Sequence, residues 1–441
     1  MKSILSALEK HKSLILDTER YVWNNPETGY KEIKTSAYLE KIFEGLGYTL
    51  NRAGDIPGFT ATVDTGREGP TVLVLGELDS IICPAHPDSD PVTGAVHSCG
   101  HNAQCAAMVG IAAALKEPGM LDELSGKIRL CLVPAEELLE INYRSELASR
   151  GVIKYFGGKS EFLYRGMFDG VDLAFMVHTA GSFMVRSGSV GCIAKRVIYK
   201  GKAAHAGGSP WNGRNALYAA NCGINAVNAI RETFKEEDLV RVHPIITRGG
   251  DMVNAIPETV ELESYIRAKS FDAIKRANEK VDRALIGAAL SLGVNIEIID
   301  IPGYSPLANA PDMIEVCKEA AAIALPDEEF KFYDAYSTGS TDMGDLSAIM
   351  PVVHPYAAGA VGTSHGNDYY VNDPIRATVK NAAWQITMLK LLLSDGAERA
   401  KRIVADFKPL FTKDEFLAYQ DSVNRSGDRI SYTDNEAKVS L

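Results

Sequence analysis

Twelve residues, AVHSCGHNAQCA at positions 95–106, hold two of the chain's nine histidines and two of its seven cysteines. Three more places put titratable side chains directly after short apolar runs. PTVLVLGELDS (70–80) ends with Glu77 and Asp79, GKIRLCLVPAEE (126–137) with Glu136 and Glu137, and VDLAFMVHTAG (171–181) delivers His178. Further on, GTSHGNDYYV carries His365 among small residues. Thiolate, imidazole and carboxylate together make a mixed S/N/O donor set that suits zinc or a similar first-row divalent ion. More than four such donors point to two ions, which clamp the oxygens of a hydrolytic transition state.

Each residue taken singly also fits a plain structural role. Cys99 fits a small buried side chain, His101 a helix-start residue bonded to backbone, Glu136 and Glu137 a solvated pair, and His178 a core histidine. Their joint placement at strand ends favours the chemical reading. A Cys99 nucleophile with a histidine base is a second chemistry, but it leaves the paired glutamates and His365 without a task. His11, His86, His97, His243 and His354 lack such placement and read as structural, as does Cys105 inside an apolar helix.

Buried strands that end in polar residues alternate with helices such as the Ala-rich NAQCAAMVGIAAALKE (102–117). That order predicts an α/β sheet with ligands at the carboxyl ends of its strands. From about residue 191 the texture changes. GCIAKRVIYKGKAAH and VELESYIRA alternate like half-exposed strands, two long amphipathic helices follow them, and VNIEIIDI closes the block. This predicts a small α+β sandwich. After Pro302 helices and short apolar strands such as MPVVHPYAAG resume. The expected division is therefore 1–190 with 303–441 as one domain and 191–302 as an insertion.

At 441 residues the chain is too long for one ordinary core. A hydrophobic content of 46% with 23% charged residues is that of a soluble globular protein. The net charge of −11 argues against nucleic acid or an anionic membrane as partner. No run of eighteen apolar residues occurs, so no membrane span is expected. The first 27 residues read as an amphipathic helix ending near Asn24, with Glu9 and Lys10 interrupting the apolar core that a signal peptide needs. The expected location is cytoplasmic, where an odd number of cysteines stays reduced and fits no disulfide framework.

The segments HSCGHNAQCAAMVGIAAAL, PAEE, VHTA, GKAAHAGGSPWNGRNAL, RGGDMVNAIP and GTSHG occur in the order of the signature segments of a metallopeptidase family. Over about residues 10–395 the chain resembles its aminoacylase, hippurate hydrolase and auxin-conjugate amidohydrolase group, relatives of carboxypeptidase G and of a dipeptidase-like acylase subgroup. The resemblance implies an α/β fold: a mixed-sheet three-layer catalytic domain of zinc-exopeptidase type with an inserted α+β sandwich lid, through which two subunits form a homodimer. It implies two divalent ions per subunit, zinc or manganese first and nickel or cobalt as alternatives. Their ligands would be Cys99, bridging or nearly so, with His101, Glu137, His178 and His365. Glu136 would be the general base that takes a proton from the attacking water and returns it to the leaving amine. Asp79 would accept a ligand histidine's other N–H and fix its tautomer. His205 in AAHAGGSP would project from the lid, into the partner subunit's site, and hydrogen-bond the tetrahedral oxyanion. Asn254 in DMVNAIP and Arg267 in ESYIRA resemble lid positions that grip the substrate's carboxylate or amide. The implied reaction is hydrolysis of the amide bond of an N-acyl amino acid or dipeptide-like conjugate. A catalytically silent acyl-amino-acid binder is the reading from another class, and five ligands kept together with a base argue against it.

Departures from the family pattern are specific. The commoner motif reads CGHD with another histidine two residues on, where this chain has Asn102 and Gln104. Asn102 keeps the shape but drops one negative charge, and leans toward the dipeptidase-like acylases, in which CGHN occurs. GELDS lacks the DMDALP continuation, and IICPAHPDSDPVTGAV (81–96) is expected to form a loop bordering the pocket. In STDMGDLSAIMP, Thr341 stands where the family's GSEDFS stretch has its acid, so no ligand is assigned there.

Overall fold

The computed structural model describes residues 1–433 and 436–441. The chain divides into two compact units, one of Met1–Gly188, Leu307–Tyr336 and Asp342–Lys413, the other of Ser189–Pro306, Ser337–Thr341 and Asp414–Leu441.

The first unit is built on a six-stranded mixed sheet. Its spatial order is Leu50–Arg52, Phe59–Asp64, Lys127–Val133, Thr71–Glu77, Leu173–Met176 and Val352–Val353. The last four run parallel and the first two are antiparallel additions at one edge. Thr71–Glu77 is buried along its whole length, as expected for an apolar, β-branched central strand between parallel neighbours. Parallel register has a direct consequence for the chemistry. Glu77 pairs with Val133 and Leu75 with Met176, so Glu77, the PAEE turn and His178 all emerge at one sheet edge. The helix His101–Leu115 is buried at every residue and packs against Thr71–Glu77 and the helix Lys12–Trp23. The amino-terminal helix expected from the sequence is in fact two, Lys2–Lys10 and Lys12–Trp23, broken at His11.

The second unit is an antiparallel sheet in the order Arg241–Val242, Thr259–Ala268, Gly191–Lys200, Asn295–Pro302 and Arg425–Asp428. The helices Ala216–Ala229 and Phe271–Ser291 pack on it, and alternate strand residues face them: Val197, Tyr199, Leu262, Ile266, Ile296 and Ile298 are buried in a common core. The α+β sandwich of the sequence reading is this structure. The block itself runs over 189–306 rather than 191–302, and two further segments lie elsewhere than that reading placed them, since it carried all of 303–441 back into the first domain. Asp414–Leu441 belongs with the second unit because Arg425–Asp428 adds a strand to the edge of Asn295–Pro302. Arg425 also pairs there with Asp282 and Asp300. Ser337–Thr341 belongs there too, with Ser340 Oγ accepting from Arg267 Nη1 at 2.7 Å.

Candidate metal centre

The site grows from three strand ends, one helix start and one late loop of the first unit. Gly100 caps the helix His101–Leu115 in the left-handed region at φ 86°. A Cβ at that position would meet Tyr369 Oη at 2.4 Å and Thr179 Cβ at 2.8 Å, so only glycine fits there. The turn sets Cys99 just ahead of the helix, where the dipole favours a thiolate. From the opposite side His365 N–H donates to Ser98 O at 2.9 Å, which brings the late loop onto the same turn.

Cys99 Sγ is the hub. It lies 3.3 Å from His178 Nε2 and 3.3 Å from His365 Nε2. Two donor trios share it: Cys99, His101 and His178, and Cys99, Glu137 and His365, the donor atoms of each lying within 4.8 Å of one another. His365 Nε2 is 2.9 Å from Glu137 Oε1. A third trio joins Glu77, His101 and Glu136.

The supporting shell holds these atoms in orientation. His101 Nδ1 is 2.8 Å from the main-chain oxygen of Asp79 and 3.3 Å from its carboxylate, which leaves Nε2 facing the trios. The backbone carbonyl next to His101 is thus the closer partner, while Asp79 Oδ2 accepts from Glu137 N–H at 2.9 Å. His178 Nδ1 is 2.9 Å from Thr179 O. The buried Arg144 donates to Glu137 O and, at 2.6 Å, to Phe156 O. Within PAEE, Ala135 sits at φ 57°, a conformation that costs about 1–2 kcal/mol for a residue with a Cβ. Its N–H donates to the buried Glu32 carboxyl at 2.8 Å, and a hydrogen bond of about 0.5–1.5 kcal/mol offsets part of that strain. Burial, then the Asp79 charge, raises this carboxyl well above the usual carboxylate range.

Electrostatically the pocket is short of positive charge. Burial alone would raise the Cys99 thiol, but the imidazoles of His101 and His178 outweigh it and hold the thiol well below its ordinary value. Burial, then the Cys99 charge, pushes Glu137 up to about 7. Burial, then Glu77 and Glu137, raises Glu136 well above the usual carboxylate range. Hydrogen bonds to Cys99 and Glu137 raise His365 to about 11. The anionic groups thus hold protons on nearby imidazoles, and metal binding at such a site releases those protons. Acids crowded in a dry pocket with sulfur and imidazole donors fit first-row divalent cations.

All seven residues assigned to this domain from the sequence come together here: Asp79, Cys99, His101, Glu136, Glu137, His178 and His365. The other three lie in the second unit. His205 and Asn254 stand on paired loops, with a bridge between His205 and Ala255 and a hydrogen bond from Ala206 N–H to Asn254 O of 2.9 Å. Both side chains are exposed. His205 Nδ1 accepts from Gly207 N–H and Gly208 N–H at 3.1 and 2.9 Å. That leaves Nε2 as the ring nitrogen without a partner on this loop. Arg267 is half-buried on the strand Thr259–Ala268, its guanidinium 5.1 Å from the Tyr265 ring centroid. The segment 81–96 forms a short hairpin, Ile81–Ile82 against Ala95–Val96, fastened by His86 Nε2 to Tyr369 O at 2.9 Å and by Trp23 Nε1–H to Asp88 at 3.2 Å.

Three residues at the site went unassigned from the sequence. Glu77 was visible at the strand end, but its role went to Asp79 alone. Lys159 and Asp342 carry no local signal, being 183 residues apart and joined only by the fold. Asn102, which drops a charge in its own motif, donates to the buried Glu19 carboxylate at 2.7 Å, so an acid is supplied from another helix.

Residues 74–389 match the model of a family described as Peptidase family M20/M25/M40. The Xaa-Arg dipeptidase of Mus musculus is 30% identical over 353 residues, 76% of this chain and 74% of its own. The N-acetyl-L-cysteine deacetylase of Bacillus subtilis is 26% identical over 361 residues, 76% of this chain and 80% of its own. Among solved structures, a dinuclear metal binding peptidase of the M20 family from Bacillus subtilis superposes with a TM-score of 0.63 at 20% identity, covering 87% of this chain and 99% of that one. That last likeness is one of fold.

Proposed function

The chain belongs to peptidase family M20/M25/M40, and from that premise we propose that it hydrolyses the amide bond of N-acyl amino acids or dipeptide-like conjugates, releasing a carboxylate and an amine. The observation that carries this reading is one buried thiol serving two donor trios, with two adjacent glutamates at the same sheet edge. When bound, two divalent ions would supply Lewis acidity for the scissile carbonyl and lower the pKa of the attacking water. Cys99 would serve both positions, His101 and His178 one of them, and Glu137 and His365 the other. Glu136 takes the proton from the attacking water and delivers it to the leaving nitrogen. Asp79 and Arg144 hold His101 and the Glu137 backbone in place.

The first unit is proposed as the catalytic domain and the second as the lid. His205 is proposed to donate its Nε2–H to the oxyanion, and Asn254 and Arg267 to bind the substrate's polar groups. Zinc or manganese is the proposed metal, with nickel or cobalt as alternatives. A homodimer through the second unit is supported by its exposed edge strand Ile245–Arg248 and by Trp211 and Val253, whose side chains lie open to solvent. Among the described residues no helix is long and apolar enough to cross a membrane, and a cytoplasmic location is proposed.

The test is amine release from a panel of acetyl, benzoyl, aminobenzoyl, indolyl and β-alanyl amides of amino acids, with each metal supplied in turn. Glu136→Ala should lose at least about 100-fold in kcat, the lower end of what a general base contributes, while its metal content stays that of the wild type. Metal lost with turnover retained would reverse the roles of the two glutamates.

A further inference from the structure

One buried cation beside the centre has no part in the proposed reaction. Lys159 is fully buried. Its Nζ donates to Glu77 Oε1 at 2.6 Å and to Asp342 Oδ1, and its backbone N–H donates to Asp342 Oδ2 at 3.2 Å. The other oxygen of Glu77 accepts from Gln104 Nε2 at 2.9 Å, and Gln104 Oε1 accepts the Glu77 N–H at 3.2 Å. Glu77 Oε2 also stands 3.2 Å from His101 Nε2. Glu77 therefore has the position of a ligand, in a trio with His101 and Glu136, yet both of its oxygens are engaged by protein donors.

We propose that Lys159 is a positioning residue of the metal centre: clamped between Glu77 and Asp342, its ammonium keeps Glu77 out of the coordination shell while leaving that carboxylate's charge against His101. This rests on the reading of the site as a metal centre. A carboxylate 3.2 Å from a ligand nitrogen would ordinarily turn to a divalent ion. Here the ion pair to Lys159 and the amide of Gln104 compete for the same lone pairs. Burial opposes an ammonium at this position, but the carboxylates of Asp342 and Glu77 keep it charged. The backbone ties the same residue to the base. Gly158 N–H donates to Ala135 O at 3.1 Å, and a Cβ at Gly158 would overlap Pro134 O. The segment bearing Lys159 is thus pressed against the turn that carries Glu136 and Glu137. Gln104 and the Glu77 of GELDS, two places where the chain departs from the commoner family pattern, become parts of one device.

The test compares wild type, Lys159→Met, Glu77→Gln and the double variant, each stripped with a chelator under reducing conditions. Zinc affinity is read by competition with a chromophoric chelator, alongside kcat and KM on the best substrate of the panel. Lys159→Met should bind its tighter zinc at least tenfold more strongly, because Glu77 is released to ligate, and lose at least tenfold in kcat with KM within threefold. Adding Glu77→Gln should return zinc affinity to within threefold of wild type and recover part of kcat. Glu77→Gln alone should leave zinc affinity within threefold, a readout that stands even where Lys159→Met does not fold. A tenfold loss of zinc affinity in Glu77→Gln makes Glu77 a ligand and overturns the proposal. Wild-type zinc affinity in a folded Lys159→Met overturns it as well. Wild-type protein that binds no zinc overturns the metal-centre reading itself, which the variants' mutual comparison leaves distinguishable.

Discussion

Replacing Asn102 by aspartate restores the letter found in the commoner family motif, and in this chain it should be damaging. Asn102 is fully buried, Glu19 nearly so, and the amide nitrogen donates to Glu19 Oε1 at 2.7 Å. An aspartate there would set two carboxylate oxygens at that separation. At an effective dielectric constant of about 20, two full charges so placed repel by about 6 kcal/mol. Taking up one proton is cheaper. At pH 7 it costs about 1.4 kcal/mol for each unit above an ordinary carboxylate pKa, or about 4 kcal/mol. Glu19 already leans that way, its carboxyl raised by burial against the opposing pull of Arg20 and of Asn102 itself. The sign follows from linkage. A carboxyl whose pKa is higher folded than unfolded costs stability above its unfolded pKa, and the cost fades as pH falls toward that value. Asn102→Asp should therefore lose about 4 kcal/mol relative to wild type at pH 7 and about 1 kcal/mol at pH 5, measured by urea unfolding. Glu19→Gln in the same background should recover most of the loss at pH 7. An Asn102→Asp protein with wild-type stability at pH 7 would refute the idea that Glu19 supplies the acid that the motif lacks.

Arg425 donates to Asp300 and Asp282, which also bind the buried Lys195. With Arg425 partly exposed, Arg425→Ala should cost about 1–2 kcal/mol and strip hydrogen-exchange protection from the strand Arg425–Asp428. Burial would raise Asp300, but Lys195 and its other partners hold its carboxyl below the ordinary value. That contribution is present above about pH 4 and lost below it, so the strand should loosen in acid. His354 is pushed down to about 4 by burial and then by the charge of His178, with Nδ1 2.9 Å from Met176 O. A histidine held neutral in the fold stabilises fully above its unfolded pKa of about 6.5 and progressively less below it. His354→Gln should therefore reduce the loss of stability between pH 7 and pH 5 by about 2 kcal/mol, seen as converging urea midpoints.

The sheet, the buried helix after SCGH and the insertion were legible because each depends on apolar periodicity that short windows contain. Val72–Leu75 and the alternation in IAKRVIYK declare their surroundings without knowledge of partners. The strand Arg425–Asp428, sequence RSGD, contains no such pattern. It is a strand because Asn295–Pro302 offers an edge and because buried carboxylates hold Arg425 there. The donor residues are legible for related reasons: Glu136, Glu137 and His178 follow apolar runs whose parallel strands converge, Cys99 and His101 open an apolar helix, and His365 shows only in its GTSHG motif. Lys159 follows a pair of glycines and Asp342 follows Thr341 in a polar stretch, so neither differs in sequence from a loop residue. Their pairing depends on the fold alone, and no spacing in the chain reports it.

The most direct measurement is amine release from the best substrate of the panel in one preparation taken through three states: as purified, stripped with a chelator, and resupplied with manganese or zinc. Metal content is read at each step. Hydrolysis should vanish with the metal and return with it as the content approaches two ions per chain. Turnover that survives complete removal would instead make Cys99 the nucleophile and contradict the account.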